Sequence, residues 1–176
     1  WSSDVCSSDL CLIKYCEDHQ FTLFGVAAKY IDQLKKERFD AKKYNLKNLK
    51  TITSTGSPLV KESFIYVYEK IKKDVHLGSI SGGTDVVGVI NICNPFNSIY
   101  AGEIQSPSLG IDVDVFDENG NSTKIGEKGE LVIKKPFPSM PVMFWNDKTE
   151  DKILNAYFRK YKNIWHHGDY IQKTKN

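Results

Sequence analysis

The stretch SISGGTD, Ser79 to Asp85, follows a short apolar run and brings two glycines, a hydroxyl and a carboxylate into direct succession. Gly82 and Gly83 permit positive φ and a close approach of a ligand to the backbone, and free N–H groups in such a turn form an anion-binding concavity. Thr84 adds a hydroxyl that can donate to a phosphate, and Asp85 adds a carboxylate of the kind that binds metals. The alternative is a tight turn that ends in a helix cap, a role that the Thr-Asp pair also suits.

A strand-helix-strand pattern leads into this stretch. Residues Leu49 to Thr55 alternate as a half-buried strand does, and Val75 to Ile80 form a second predicted strand. Between them we predict a helix from about Pro58 to Lys73, with Ser57 as its N-cap. This order predicts a right-handed βαβ unit in a parallel sheet. Ligands bind at the carboxyl ends of such strands, which is where Gly56-Ser57-Pro58 and SGGTD fall.

The rest of the chain predicts further helices and an antiparallel sheet. Apolar positions between Thr22 and Phe39 recur three and four residues apart, which indicates an amphipathic helix. From Ala101 onward, short strands separated by turn signals indicate a small antiparallel sheet or barrel, with GELVIK (Gly129 to Lys134) as one strand. Asp147 is expected to cap a helix, and Ile164 to Ile171 are expected to form a final strand interrupted by a glycine.

These elements together predict an α/β fold, in which a parallel βαβ segment is followed by a small antiparallel segment. We expect residues 11–100 to form the α/β sheet part, residues 101–145 the small antiparallel part, and residues 146–176 a helix and a strand. Residues 1–10, WSSDVCSSDL, repeat Ser and Asp without helical or strand periodicity, and SSDVC almost recurs as SSDLC. We interpret these ten residues as a non-native leader.

Composition excludes several classes of function. The chain of 176 residues is 40% hydrophobic, which permits one substantial core, and its net charge of +2 is too small to indicate a nucleic-acid partner. The basic residues between Lys29 and Lys50 are interpreted as a solvated helix face and loop. No apolar run approaches the roughly 20 residues that cross a bilayer, so we expect a cytoplasmic protein without a membrane partner. The spacing of Cys6, Cys11 and Cys16 matches neither a zinc site nor a disulfide framework.

Four short motifs occur in an order that resembles a known family. GSP (Gly56 to Pro58), SGGTD (Ser81 to Asp85), GEL (Gly129 to Leu131) and HGDY (His167 to Tyr170) look like the later core motifs of the adenylate-forming acyl-CoA synthetases. The segments TGSPL, LGSISGGTD, YAGEIQ, FWND, AYF and IWHHGDY most closely resemble the branch that activates acetoacetate. Enzymes of this family that act on acetate or propionate usually carry bulky aromatic residues ahead of the threonine, where this chain has small ones. The similarity runs from about Phe21 to Ile171.

The resemblance implies a two-step reaction. A carboxylate attacks the α-phosphorus of Mg-ATP to give an acyl-adenylate and pyrophosphate, and the thiol of coenzyme A then displaces AMP. The implied cofactors and substrates are ATP, Mg2+, coenzyme A and acetoacetate, with acetate or propionate as the acid in the alternative interpretation. Such a reaction needs neutralised phosphates, a clamp on the adenosine and a dry acyl pocket.

The resemblance also implies a role for each residue of the site. The implied nucleotide-binding residues are Gly56, Ser57, Pro58, Ser81, Gly82, Gly83, Thr84 and Asp169. Gly56 to Pro58 would line the adenine. The backbone of Ser81 to Gly83 would run close to the base and the α-phosphate. Thr84 would donate its hydroxyl to the α-phosphate as the catalytic contact, and Asp169 would accept hydrogen bonds from the ribose hydroxyls. Asp85 stands where most of the family has glutamate, so we expect it to reach the metal through water.

Three further residues or segments carry no catalytic role in this interpretation. His166 and His167 are expected to be partly buried filling residues, and GEL is expected to serve the small sheet. The three segments GSP, SGGTD and HGDY are expected to converge on one edge of the parallel sheet, close enough to share one AMP molecule.

Other parts of the family's active site are expected outside this chain. The phosphate loop should precede Phe21, and the hinge, the coenzyme A residues and the adenylation lysine should follow Asn176. Lys173 and Lys175 do not take the place of that lysine. We therefore expect an internal part of the large N-terminal domain, inactive by itself. The alternatives are a related short-chain acyl-CoA synthetase and a non-catalytic nucleotide-binding module that reuses the fold.

Overall fold

A computed structural model describes residues 8–176, with side chains from residue 11 onward. Two units divide the chain: the first extends to Ser81 and includes Asn91–Ser106, and the second comprises Gly82–Ile90 and Pro107–Asn176. Residues 1–7 of the expected leader lie outside the described residues, while residues 8–10 begin the first helix. The non-native origin of residues 1–10 stays a prediction.

The first unit is built on a three-stranded parallel sheet. Its elements are α1 (Ser8–Asp18), β1 (Leu23–Ala27), α2 (Ala28–Lys36), a 3-10 turn (Ala41–Lys43), β2 (Thr51–Thr55), α3 (Lys61–Tyr66), a π-helical turn (Val67–Ile71) and β3 (His76–Ser79). The strand order in the sheet is β1–β2–β3. Along the chain, α2 connects β1 to β2, and α3 lies in the connection from β2 to β3. This arrangement confirms the parallel sheet that the strand-helix-strand pattern predicts.

The predicted helix from Thr22 to Phe39 is wrong in its first part. Leu23 to Ala27 form β1, which pairs in parallel with β2. Phe24 and Val26 are buried while Leu23 is exposed, which is the alternation of a strand. Apolar residues in the same segment also recur three and four apart, so the sequence fits a helix as well. The pairing with β2 joins segments far apart in the chain, and local periodicity does not report such contacts. The helical pattern is confirmed for α2, which buries Tyr30, Ile31 and Leu34.

The predicted start of the next helix at Pro58 is also wrong. α3 begins later, and its N-cap residue makes no side-chain cap hydrogen bond, so Ser57 is not its cap. The segment before α3 stays a loop because Leu59 turns into the core, where it is 1% exposed. The Leu59 N–H lies 3.5 Å from Ser79 Oγ at the end of β3. This loop is thus held against the sheet by a buried leucine.

The core of the first unit joins the sheet to its helices. Ile52 of β2 and Leu77 of β3 are almost fully buried and lie in one apolar cluster with Leu34 of α2 and Phe64 of α3. Burial of a side chain of this size stabilises a fold by about 1.5–3 kcal/mol. The core therefore holds β2 and β3, and with them the loops that leave their carboxyl ends.

The SGGTD stretch forms part of a hairpin, which corrects the expected glycine turn. A separate three-stranded sheet contains β4 (Ser81–Gly83), β5 (Gly88–Ile92) and β6 (Ser106–Pro107) in the order β4–β5–β6. Residues 84–87 form the turn between β4 and β5. The turn is tight, as one of the two interpretations predicts, but a strand follows it in place of a capped helix. The chain passes between its two units within these strands.

The second unit is built on an antiparallel sheet. Its strands are β7 (Val113–Phe116), β8 (Lys128–Ile133) and β9 (Trp165–Gln172), in the order β7–β8–β9, with α4 (Asp151–Tyr157) before the last strand. The predicted small antiparallel segment is confirmed. The DENGN turn after β7 is held by Asp117, whose carboxylate accepts hydrogen bonds from the N–H groups of Asn119 and Asn121 at 2.9 and 2.8 Å.

The helices of the described residues are short. Asp147 caps α4, as the sequence predicts, although it does so from four residues before the helix: its Oδ2 accepts hydrogen bonds from the N–H groups of Lys152 at 2.9 Å and Ile153 at 3.0 Å. These bonds satisfy two donors that have no partner within the helix.

No helix between residues 8 and 176 is both long and apolar enough to cross a bilayer.

An aromatic cluster lies in the core of the second unit, beside buried aliphatic residues such as Leu131 and Ile133. Trp165 of β9 is 1% exposed, and the ring of Tyr157 stacks on it with ring centroids 3.6 Å apart. Phe137 and Phe158 meet the same indole edge-on, each with a centroid distance of 5.8 Å. Such pairs contribute about 0.5–1.5 kcal/mol each beyond their buried area. Trp165 therefore ties α4 to β9 directly beside the HGDY motif.

Asp114 of β7 gives the antiparallel sheet a stability that depends on pH. Burial raises the pKa of its carboxyl, but hydrogen bonds from Lys173 and from the Val115 N–H outweigh burial and lower the pKa to about 2. The folded-state pKa thus lies below the unfolded value of about 3.9. The stabilisation is therefore complete above about pH 4 and is lost as the pH falls toward 2.

We expect Asp114→Asn to lower the free energy of unfolding by about 2 kcal/mol at pH 7 and by about half of that at pH 3. Chemical denaturation of the full-length protein at the two pH values measures this difference. Asp112→Asn is the matched control, because Asp112 is a more exposed carboxylate 3.3 and 3.2 Å from Lys134 and Lys135, and its effect should be smaller. A loss of stability in Asp114→Asn that is equal at both pH values would contradict the role of the charge.

Candidate functional site

The loop GSP and the residue Ser81 both follow the carboxyl edge of the parallel sheet. Ser54 of β2 lies in register with Ser79 of β3, and the Ile80 N–H donates to Ser54 O at 2.8 Å, so the two strands end side by side. Gly56 leaves β2 with a φ of 80°, a conformation that glycine adopts without strain. Within the first unit, the predicted adenine loop and the first residue of SGGTD therefore start from the same edge.

Thr84 lies at the start of the turn between β4 and β5. The Val87 N–H closes this turn by donating to the Thr84 carbonyl at 3.1 Å. The Thr84 side chain is exposed, and no hydrogen bond joins its hydroxyl to another of the described residues. A hydroxyl of this kind keeps its donor for a ligand.

The glycines of SGGTD are required for a different reason from the one expected. Neither Gly82 nor Gly83 has a positive φ. A Cβ at position 82 would lie 2.2 Å from Gly88 O, and a Cβ at position 83 would lie 3.1 Å from His167 Cε1. Backbone contact within the hairpin therefore explains why position 82 requires glycine.

Asp85 has a partner that is not among the predicted site residues. Its Oδ2 accepts a hydrogen bond from the hydroxyl of Tyr157. Burial, together with this bond to the carboxylate, raises the pKa of Tyr157 to about 12, so the tyrosine remains a protonated donor at neutral pH. The sequence places Tyr157 among the apolar positions of a helix. The only signal for another role was the AYF segment of the family resemblance.

The HGDY motif lies in an irregular part of β9. Gly168 has a φ of 91°, and the pairing of β8 with β9 shifts register beside it. The Asp169 side chain is 59% exposed and lies 3.8 Å from His167 Nε2. Its carboxylate is thus available to a ligand on the surface of the second unit.

The two histidines before Gly168 have internal partners. His167 Nδ1 accepts a hydrogen bond from Trp165 Nε1 at 3.3 Å, and His166 Nδ1 lies 2.8 Å from the carbonyl oxygen of Tyr157. Both side chains are half-buried. These contacts match the expected filling role of the two histidines.

One carboxylate of the site suits a magnesium ion. Between residues 8 and 176, no three His, Cys, Asp or Glu side chains come together as a metal site would require. Mg2+, however, is usually held by one or two carboxylates together with substrate phosphates and water. Asp85 bonds to Tyr157 through Oδ2, and no other described residue donates a hydrogen bond to its second carboxylate oxygen. The residues present therefore fit a magnesium ion that arrives with phosphates, and do not form a cage for a resident metal.

Each unit holds a part of the predicted site. The first contains Gly56 to Pro58 and Ser81, and the second contains Gly82 to Asp85 and Asp169. Within the second unit, Gly83 lies against His167, so the SGGTD and HGDY motifs are neighbours although more than 80 residues separate them. An exposed hydroxyl and two exposed carboxylates in these motifs form an arrangement that can bind the polar parts of a nucleotide.

Residues 3–141 match the protein family described as AMP-binding enzyme. The chain belongs to this family of AMP-binding enzymes. It is 48% identical over 173 residues to acetoacetyl-coenzyme A synthetase of Rhizobium meliloti (strain 1021), an alignment that covers 98% of this chain and 26% of that protein. It is 45% identical over 152 residues to acetoacetyl-CoA synthetase of Mus musculus, covering 86% of this chain and 22% of that protein.

The fold is likewise that of a solved structure. Acetoacetyl-CoA synthetase from Streptomyces lividans superposes with a TM-score of 0.88 at 33% sequence identity, over 97% of this chain and 27% of that one. The match confirms the predicted α/β architecture as that of the N-terminal domain of acyl-CoA synthetases. The chain spans about a quarter of the length of these relatives.

Proposed function

We propose that the full-length protein to which this chain belongs is an acid–thiol ligase that activates acetoacetate to acetoacetyl-CoA through an acyl-adenylate. The observation that carries the proposal is the similarity to acetoacetyl-CoA synthetases along 98% and 86% of the chain. The exposed polar groups of Thr84, Asp85 and Asp169 support it, because they occur in the motifs that a nucleotide would contact. The substrates in this proposal are ATP, acetoacetate and coenzyme A.

In the first step, a carboxylate oxygen of acetoacetate attacks the α-phosphorus, the bond from that phosphorus to the pyrophosphate oxygen breaks, and pyrophosphate leaves. Thr84 donates its hydroxyl to an α-phosphate oxygen, where negative charge develops in the transition state. A donor held ready at such a position lowers the barrier because it needs no reorganisation. The closed turn from Thr84 to Val87 holds this donor in place.

The adenosine is held by two further groups of residues. Gly56, Ser57 and Pro58 line the adenine, and Ser81 to Gly83 pass along the base and the α-phosphate. Asp169 accepts hydrogen bonds from the ribose hydroxyls, a charge-assisted contact that is stronger than a neutral one. Positioning of this kind lowers the entropic cost of the reaction.

A magnesium ion bound with ATP would neutralise charge on the phosphates. Asp85 would hold this ion through water, together with the phosphate oxygens, and Tyr157 keeps the Asp85 carboxylate in place by donating to its other oxygen. In the second step, the thiol sulfur of coenzyme A attacks the acyl carbon, the bond to AMP breaks, and the thiol proton is released. The inactivity of this chain by itself stays a prediction, which an adenylation assay of residues 11–176 would test.

For the substrate, we expect acetoacetate to support pyrophosphate release at least about tenfold more efficiently than acetate or propionate, measured as kcat/KM of the full-length protein. A site that donates a hydrogen bond to the ketone oxygen of acetoacetate should reject acids without a ketone by such a factor or more. Equal efficiency with the three acids would contradict the choice of acetoacetate. ATP binding without pyrophosphate release from any of the acids would favour a non-catalytic nucleotide-binding module.

A further inference from the structure

The HGDY motif lies in a bulge between β8 and β9. The pairs Glu130–Tyr170 and Val132–His166 enclose one residue of β8 and three residues of β9. The three enclosed residues of β9 are His167, Gly168 and Asp169. A bulge bends its strand, re-aims side chains and is frequent beside active sites. The regular ladder is therefore interrupted at the residue that the proposed function assigns to the ribose.

The carboxylate of Glu130 bonds to this bulge from the neighbouring strand. Glu130 is only 3% exposed, although a buried carboxylate is costly unless it is paired and hydrogen-bonded. One of its oxygens accepts a hydrogen bond from the Gly168 N–H at 2.6 Å. The other accepts one from Lys160 Nζ at 2.7 Å. The Glu130 side chain thus supplies an acceptor where the ladder is interrupted, and Lys160 balances its charge.

The direction of the Asp169 carboxylate depends on the backbone of the bulge. Among the described residues, the basic side chain that lies near this carboxylate is His167, with its Nε2 at 3.8 Å. At position 168, a Cβ would meet nothing within 4 Å, while φ is 91°. Glycine is therefore required there for its conformation and not for space. A hydrogen bond that fixes the Gly168 amide consequently constrains the backbone that leads directly into Asp169.

We propose that Glu130 is a positioning residue for the nucleotide: its carboxylate holds the Gly168 amide and so orients Asp169 toward a ribose diol. This inference rests on the proposed function, because it takes Asp169 as the ribose ligand. It assigns a specific task to the GEL motif, whose residue pattern by itself indicates only a strand of the sheet. Glu130 acts through Asp169 and does not itself touch the nucleotide.

The test compares the affinity of the full-length protein for ATP and for 2′,3′-dideoxy-ATP, both with Mg2+, by titration calorimetry. The measured quantity is the ratio of the two dissociation constants, which does not depend on the acid that the enzyme activates. In the wild type we expect ATP to bind about 10- to 100-fold more tightly, as for hydrogen bonds to a charged group. In Asp169→Ala we expect this ratio to fall to about one to three.

In Glu130→Ala we expect the ratio to fall at least about threefold below that of the wild type. The double variant Glu130→Ala/Asp169→Ala should match Asp169→Ala, because the two residues act in series. Glu127→Ala is the matched control: Glu127 is an exposed glutamate just before β8, its carboxylate accepts from the Lys124 N–H at 2.9 Å, and its loss should leave the ratio unchanged. If Glu130→Ala does not fold, Glu130→Asp takes its place, since it keeps the charge opposite Lys160 but shortens the reach to Gly168. The ratio is expected to fall in that variant too.

The outcomes separate this inference from the proposed function. A ratio that falls in both Asp169→Ala and the Glu130 variant supports the positioning role. A ratio that falls in Asp169→Ala but not in the Glu130 variant overturns the positioning role alone. Equal weakening of ATP and dideoxy-ATP in the Glu130 variant also overturns it, because a merely structural residue would act in that way. An unchanged ratio in Asp169→Ala overturns the assignment of Asp169 and, with it, the basis of this inference.

Discussion

Thr84→Val should slow adenylate formation by the full-length enzyme roughly 10- to 150-fold, which corresponds to about 1.5–3 kcal/mol for a hydrogen bond to a charged group. Valine has a similar volume but no hydroxyl, so the variant removes the proposed donor to the α-phosphate. The fold should tolerate the change, because the exposed Thr84 hydroxyl makes no hydrogen bond to the other described residues. Pyrophosphate exchange at saturating ATP and acetoacetate measures the rate.

Thr84→Ser is the matched control for this variant. Serine keeps the hydroxyl and loses only a methyl group, so its rate should stay within about threefold of the wild type. The expected pattern is therefore a large loss with valine and a small one with serine, at an unchanged thermal midpoint. An adenylation rate that valine leaves unchanged would rule out Thr84 as a phosphate donor.

Gly82→Ala should destabilise the full-length protein by about 3 kcal/mol or more, because the added Cβ would overlap with backbone atoms of the neighbouring strand β5. A Cβ at this position would lie 2.2 Å from Gly88 O and 3.0 Å from Val89 Cα. Neither atom belongs to a flexible side chain, so relief requires β4 and β5 to move apart. The movement would also displace the turn that carries Thr84. The yield of soluble protein and the midpoint of denaturant unfolding measure this effect.

Gly88→Ala is the matched control within the same hairpin. A Cβ at position 88 would meet its nearest atom, Val86 O, at 3.5 Å, an ordinary contact distance. Its backbone has no positive φ, so alanine should be tolerated with a change of less than about 1 kcal/mol. Equal destabilisation by the two alanines would show that glycine is needed in this hairpin for a reason other than the contact with Gly88 O.

Much of the sheet architecture follows from local sequence patterns. The alternation of β-branched residues from Leu49 to Thr55 and the apolar run from Val75 to Ile80 identify β2 and β3. Turn signals such as DENGN locate the antiparallel part, and the position of Asp147 before an apolar helical pattern predicts its role as a helix cap. These features depend on residues near one another in the chain, and their physics is therefore visible in the sequence.

Errors arose where two periodicities fit the same residues. Leu23, Val26 and Ala27 suit the spacing of a helix, and Phe24 and Val26 equally suit the alternation of a strand. Parallel pairing with β2 decides between them, because it satisfies the backbone of β1 through a partner more than 20 residues away. The predicted start of α3 is wrong for a related reason: Ser57-Pro58 is a good helix start locally, but the burial of Leu59 keeps the segment in a loop.

For the candidate site, the motifs were identifiable from their residues, while the contacts between them were not. Ordered motifs indicate the family because their glycines, hydroxyl and carboxylates stand in a characteristic sequence. The bond from Tyr157 to Asp85 spans 72 residues, and the bond from Gly168 to Glu130 spans 38. Neither pair leaves a local pattern, since each depends on how separate strands and helices meet.

The sequence by itself determined that this chain carries a parallel βαβ segment, an antiparallel segment and the ordered motifs of an AMP-binding enzyme. Only the tertiary structure decided that SGGTD is half strand and half turn, and that Gly82 is needed because Gly88 O lies against it. It also decided that the carboxylate of Glu130 supports the bulge that contains Asp169. The physical reason is the same in each case. Residue type sets which donors, acceptors and charges a position offers, but strand pairing and burial determine which other groups they contact.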